Sequence, residues 1–132
     1  MNYLIDTHLF LWVLFSPKKI PSVVKKILVD PQAVKSVSAV TFWEISLKFR
    51  LKKLELVGIL PDGLLNQAQK IGFEVLNLDC ETTSSFYKLP MIKNNDPFDR
   101  MLAWQAISKD LVLLTKDQDF NNYKKHGLKT IW

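Results

Sequence analysis

Five carboxylates stand where apolar segments end or helices begin: Asp6 after Asn2-Tyr-Leu-Ile5, Glu44 in Thr41-Phe-Trp-Glu44, Asp96 and Asp99 in Asp96-Pro-Phe-Asp99, and Asp117 after the run from Leu111 to Lys116. Oxygen donors of this kind suit a hard divalent ion, which takes one or two carboxylates and completes its shell with water and substrate phosphates. Each acid also has a structural explanation of its own. Asp6, Asp96 and Asp117 can cap a following turn. Thr41 and Glu44 have the spacing of a capping box, and Glu44 and Lys48 form an i, i+4 pair. Pro97 suits a first helical position, with Asp99 near the positive end of the helix dipole. Capping does not explain the repetition of acids at successive strand-to-helix junctions. A parallel sheet would bring such junctions to one edge, where ligands of open α/β sheets bind.

The elements needed for that convergence are legible. Residues 2–5 read as a short buried strand, followed by a helix over Leu9–Phe15 that stops before Pro17. Pro21–Leu28 reads as a helix with Val23, Val24, Ile27 and Leu28 turned inward, and residues 33–37 as a strand. Thr41–Leu54 reads as a helix with two apolar stripes, Phe42, Ile45 and Phe49 on one and Leu47, Leu51 and Leu54 on the other. Trp12, Trp43, Phe49, Leu47 and Leu51 are assigned to the core by default, although two stripes suggest two neighbours. Helices are expected over 61–71, 82–89 and 97–108, and strands over 73–78, 111–114 and 128–131. Strands alternating with helices indicate a three-layer α/β/α fold around a central parallel sheet.

Composition narrows the setting. A chain of 132 residues, 48% of them apolar, suits one domain spanning 1–132. Cys80 is the single cysteine, so neither an internal disulfide nor a cysteine metal cage is available, and a reducing cytoplasm is the expected location. Leu9-Phe-Leu-Trp-Val-Leu-Phe15 is far shorter than the ~20 residues needed to span a bilayer, so no membrane association is expected. The net charge of +5 favours polyanions. With several acids gathered at one spot, the remaining surface is more basic still, a combination suited to a metal-dependent enzyme acting on nucleic acid. No aromatic-rich RNA-reading motif is visible. Neither Ser38 nor Cys80 has a histidine in an arrangement that would make it a nucleophile.

Four motifs, in order along nearly the whole chain, resemble the PIN-domain family, in particular VapC-type toxins of bacterial toxin–antitoxin pairs. They are Leu4-Ile-Asp-Thr-His8 with Leu11-Trp12, Ser38-Ala-Val-Thr-Phe-Trp-Glu-Ile45, Asp96-Pro-Phe-Asp-Arg100 with Ala103 and Ala106, and Leu113-Leu-Thr-Lys-Asp117 with Phe120. The resemblance implies a ribonuclease that hydrolyses RNA phosphodiesters with metal-activated water, using magnesium or manganese. Asp6, Glu44, Asp99 and Asp117 would be its catalytic acids, with Asp6, Asp99 and Asp117 the metal ligands. Asp96 and Thr115 would support them, and Lys48 and Arg100 are the residues expected to meet RNA phosphates. It further implies a VapB-like antitoxin that fills a hydrophobic groove, and a homodimer. Members of this branch often carry a histidine shortly before Asp-Pro-Phe-Asp; here Met91-Ile-Lys-Asn-Asn95 has none. Two other readings stay open: a PIN-fold nuclease of RNA processing outside a toxin pair, and a non-catalytic RNA- or protein-binding module whose acids only cap helices. A dehalogenase-type phosphatase would need a second aspartate where His8 stands. A phosphoacceptor receiver would need an acidic pair after the first strand.

Overall fold

In the computed structural model, which describes residues 1–93 and 95–132, five short strands form one all-parallel sheet. β1 (Asn2–Ile5) lies at its centre, flanked by β2 (Val34–Ser38) and β4 (Val112–Leu114), with β3 (Glu74–Leu76) and β5 (Lys129–Ile131) at the edges. The strand order β3-β2-β1-β4-β5 means that the chain first steps outward on one side of β1 and then returns to build the other. That reversal creates a switch point between β1 and β4, where the loops leaving the strands diverge and open a crevice. Register puts Ile5 beside Val37 and Leu114, so the residues that follow emerge side by side.

β1 and β4 are largely apolar because both faces of the sheet are covered at its centre, whereas β2, Val34-Lys-Ser-Val-Ser38, buries serines among its valines. Tyr3, Ile5, Val37, Val112 and Leu114 point to one face and pack with Leu9 and Phe10 of α1 (Thr7–Phe15), Val24 of α2 (Ser22–Val29), Ile45 of α3 (Ala39–Arg50), and Leu64 and Ala68 of α4 (Leu64–Lys70). Leu4 and Leu113 point to the other face, against Leu102, Ala103 and Ala106 of α6 (Pro97–Ser108), with Phe120 and Tyr123 of the 3-10 helix Gln118–His126. The short α5 (Cys80–Ser85), capped by Asp79, packs beside α6. This is the expected three-layer α/β/α plan.

Several local expectations are corrected. α3 begins at Ala39 and not at Thr41, because the Ser38 hydroxyl accepts the Val40 amide as N-cap. Thr41 is therefore buried within the helix, and its spacing to Glu44 is not a capping box. The helix ends at Arg50, and Lys52 then takes a left-handed conformation with φ of 59°, which leaves Leu54 outside it. Val23, expected inward, is 55% exposed. Trp43 (58% exposed), Leu47 and Leu51 also face outward and are not core, whereas Phe42 and Ile45 pack inward. The stretch 61–71 divides into a 3-10 turn and α4. Gly72 ends α4 with φ of 92°, which lets the Phe73 amide bond back to the Ala68 carbonyl and the Gly72 amide to that of Gln69.

Candidate active site

The central strand delivers Asp6 to the switch point. Its amide still bonds to the Leu114 carbonyl, continuing the β1–β4 ladder by one residue, while its carboxylate turns to cap α1 by accepting the Leu9 amide at 2.8 Å. The other carboxylate oxygen accepts the hydroxyl of Thr115, the first residue after β4, at 2.5 Å. Thr115 in turn accepts the Asp117 amide at 3.0 Å, so one hydroxyl ties the two acids of the switch point together. Asp117 caps the following 3-10 helix through the Asp119 amide. Asp6 is only 4% exposed. Burial raises its pKa; the Thr115 hydroxyl, the Leu9 amide and the charge of His8 oppose that shift, and neighbouring Asp117 adds to it.

Glu44, also buried, approaches from α3. Thr7, the residue after Asp6, donates its hydroxyl to Glu44 Oε1 at 2.6 Å, and Lys48 one turn along α3 pairs with Oε2. A hydroxyl has one proton, so with Thr7 donating to Glu44, Thr41 must be the donor in the 3.1 Å contact between the two threonines. Thr7 and Thr41 were missed in the sequence reading. Their signal was available, since one directly follows Asp6 and the other stands one helical turn before Glu44. Asp96 caps α6 by accepting the Phe98 and Asp99 amides, as its position beside Pro97 predicts, and this sets Asp99 in the first turn. Trp43 packs edge-on against Phe98 with ring centroids 4.9 Å apart, holding the Glu44 turn of α3 against the Asp99 turn of α6.

A cleft of about 390 Å³ lined by Asp6, His8, Trp12, Lys116, Asp117 and Gln118 opens beside these groups. A larger groove of about 530 Å³ among Val13, Ile20, Leu28 and Phe73 has no carboxylate in its lining, whereas Asp6 and Asp117 of the switch point both face the smaller cleft. The donors are all oxygens apart from His8, which fits a hard ion. Among the described residues, no three acidic, histidine or cysteine side chains already stand as a ligand cage.

Lys48 faces Glu44 with 37% of its side chain exposed, at the rim of the site. Arg100 does not reach the surface. Its guanidinium donates to the Tyr123 hydroxyl at 2.9 Å and to the carbonyls of Pro90 and Leu89, and it lies over the Phe86 ring. The expectation that Arg100 meets RNA phosphate is corrected accordingly. Its α6 position next to Asp99 points the side chain down into the second core, where its donors find internal acceptors. Of the segment Met91–Asn95, Asn94 lies outside the described residues.

No curated protein matches the sequence. Among solved structures, the chain resembles VapBC2 from Rickettsia felis bound to a DNA fragment from its promoter, with a TM-score of 0.69 at 16% identity, covering 99% of this chain and 98% of that one. It also resembles VapBC-1 from nontypeable Haemophilus influenzae, with a TM-score of 0.66 at 15% identity and coverage of 99% and 97%. FitAcB from Neisseria gonorrhoeae is similar at a TM-score of 0.62 and 17% identity, with coverage of 100% and 97%. The PIN domain pattern matches residues 3–126, a span that contains Asp6, Glu44, Asp96, Asp99 and Asp117. The chain belongs to the PIN domain family.

Proposed function

We propose that this protein is a metal-dependent endoribonuclease of the cytoplasm that acts as the toxin of a VapBC-type toxin–antitoxin pair. The observation that carries the reading is the chain of hydrogen bonds from Asp6 through Thr115 to Asp117 at the switch point, with Glu44 fixed beside it through Thr7. A cap alone requires one carboxylate oxygen; at Asp6 the second is oriented by a threonine that also positions Asp117. Asp6, Asp99 and Asp117 would hold magnesium or manganese. Such an ion, when bound, lowers the pKa of water and offsets charge developing on a phosphodiester under attack.

The protein's own groups do the rest. The Thr115 hydroxyl and the Leu9 amide orient the Asp6 carboxylate, and both oppose the upward pKa shift that its burial imposes. Glu44 orients the attacking water or takes its proton, but both its oxygens are engaged, one by Thr7 and one by Lys48. A substrate phosphate that draws the Lys48 ammonium away leaves Oε2 able to accept a proton. Lys48 thus couples arrival of the RNA to release of the base. An unpaired strand bends more readily into a recessed site than a duplex, which makes single-stranded or loop RNA the preferred substrate.

The exposed stripe of Trp43 and Leu47 on α3 and Leu51 at its C-cap supports a protein partner, since an exposed apolar surface beside a site marks an interface. The VapBC structures that the fold resembles make a VapB-like antitoxin the natural occupant, and a homodimer is the assembly that the family resemblance implies. The test is cleavage of a pooled structured RNA by purified protein with manganese, with magnesium and with chelator, beside folded Asp6→Asn and Asp99→Asn proteins. Metal-dependent cutting lost in both variants is the expected result. A folded wild-type protein that neither cuts RNA with any metal nor binds metal in calorimetry overturns the reading.

A further inference from the structure

The fold assembles an aromatic and basic platform that no segment of the sequence contains. Trp12 of α1 and Trp132, which follows β5, meet with ring centroids 5.7 Å apart at an interplanar angle of 58°. The ammonium groups of Lys19 and Lys116 each lie 5.5 Å from the Trp12 centroid. Both lysines are exposed, and among the described residues neither forms an ion pair. Lysine stems lie over apolar surfaces for packing reasons alone. Cation–π attraction holds both ammonium groups at the ring while leaving each, among the described residues, without an ion-pair partner. Trp12 and Lys116 also line the cleft that holds Asp6 and Asp117, so the platform continues directly into the candidate active site.

We propose that Trp12, Trp132, Lys19 and Lys116 form a substrate subsite that stacks an unpaired base of the RNA strand and holds its phosphates next to the scissile position. An indole face offers stacking to any base, and cationic side chains beside it track the backbone, the combination used to bind single strands without strict sequence preference. A base that stacks on Trp12 takes the place of an ammonium, which then swings on its flexible stem to the phosphate of the same nucleotide. The half-exposed Trp132 extends the stacking surface away from the acids and gives the strand a direction of approach, along the β4–β5 side of the sheet. This assignment deepens the nuclease reading and rests on it.

The experiment measures binding of a fluorescent oligouridylate, single-stranded and as its duplex with oligoadenylate, by anisotropy in chelator, where no metal-dependent cutting intervenes. Trp132→Ala is expected to weaken single-strand binding by about tenfold, the loss of one base–aromatic stack, and Trp132→Phe to retain most of it. The double variant Lys19→Gln/Lys116→Gln is expected to lower the slope of log affinity against log salt by about 1.4 for the single strand. It changes only exposed side chains, so it keeps the test open if Trp132→Ala fails to fold. Wild-type binding that neither Trp132→Ala nor the lysine pair alters overturns the subsite and leaves the nuclease intact. Equal affinity for the duplex, or displacement of RNA by polyglutamate of equal charge, also overturns it, the latter in favour of an acidic-peptide site. Absence of RNA binding by the wild type in chelator overturns the subsite, and the cleavage assay with manganese or magnesium then decides the nuclease separately.

Discussion

Arg100→Met separates a structural strut from a phosphate contact. The substitution keeps most of the stem's volume and removes every donor. Three acceptors lose their partner, the Tyr123 hydroxyl and the carbonyls of Leu89 and Pro90, but Pro90 is exposed and its carbonyl turns to water. Two buried acceptors remain unsatisfied, each costing about 1–3 kcal/mol, while relief of the guanidinium's own desolvation returns part of that, for a net loss of about 3 kcal/mol. For a domain of this size, with a urea dependence of about 2 kcal/mol/M, the unfolding midpoint falls by about 1.5 M. Urea unfolding followed by tryptophan fluorescence reads the shift, and RNA titrations at several salt concentrations, on samples shown to be folded, read the phosphate contact. The salt dependence of RNA binding should be unchanged. A variant whose midpoint moves by less than about 0.3 M, and whose RNA affinity loses salt dependence, would refute the inward placement of this side chain.

The other expectations concern the acids and their supports. Asp6→Asn keeps an acceptor for the Leu9 amide and removes a desolvated charge, so thermal unfolding in chelator should show no loss of stability while cutting disappears; Asp6→Ala should lose the cap, about 1 kcal/mol, as well as the activity. Thr115→Val leaves both Asp6 and the Asp117 amide without their shared partner, and should cost about 1–3 kcal/mol together with weaker manganese binding in calorimetry; unchanged binding would show that Thr115 does not orient the acids. The Asp79 carboxyl is lowered to about 2 chiefly by the Lys109 ammonium and then by the Thr82 amide. Because its folded pKa lies below the unfolded value, its contribution is fully present above about pH 4 and fades as pH falls toward 2. Acid unfolding of Asp79→Asn should therefore differ from wild type at neutral pH and converge with it near pH 2.

What could be read without coordinates was local or repeated. α6 spans Pro97–Ser108 as expected, because Asp96, Pro97 and Asp99 each act within one turn of their own backbone. β1 and β4 were legible because strands covered on both faces are largely apolar. The start of α3 was misread by two residues because Ser38 and Thr41 cap equally well in isolation, and the choice depends on where β2 stops pairing. The outward turn of Val23, Trp43, Leu47 and Leu51 was hidden for a related reason: periodicity identifies an apolar stripe, but not whether a neighbour lies against it.

The sequence by itself determined the alternation of strands and helices, the parallel sheet this requires, and the carboxylates at its strand-to-helix junctions, since these follow from periodicity and from chemistry within a few residues. Tertiary structure alone decided which long-range partners meet. It joined Asp6 to Thr115 across β1 and β4, set Thr7 against Glu44, buried Arg100 under Tyr123, and brought Trp12 to Trp132. Side-chain contacts between distant segments depend on strand order and on the direction each helix face takes over the sheet, and neither is encoded in any single stretch of chain.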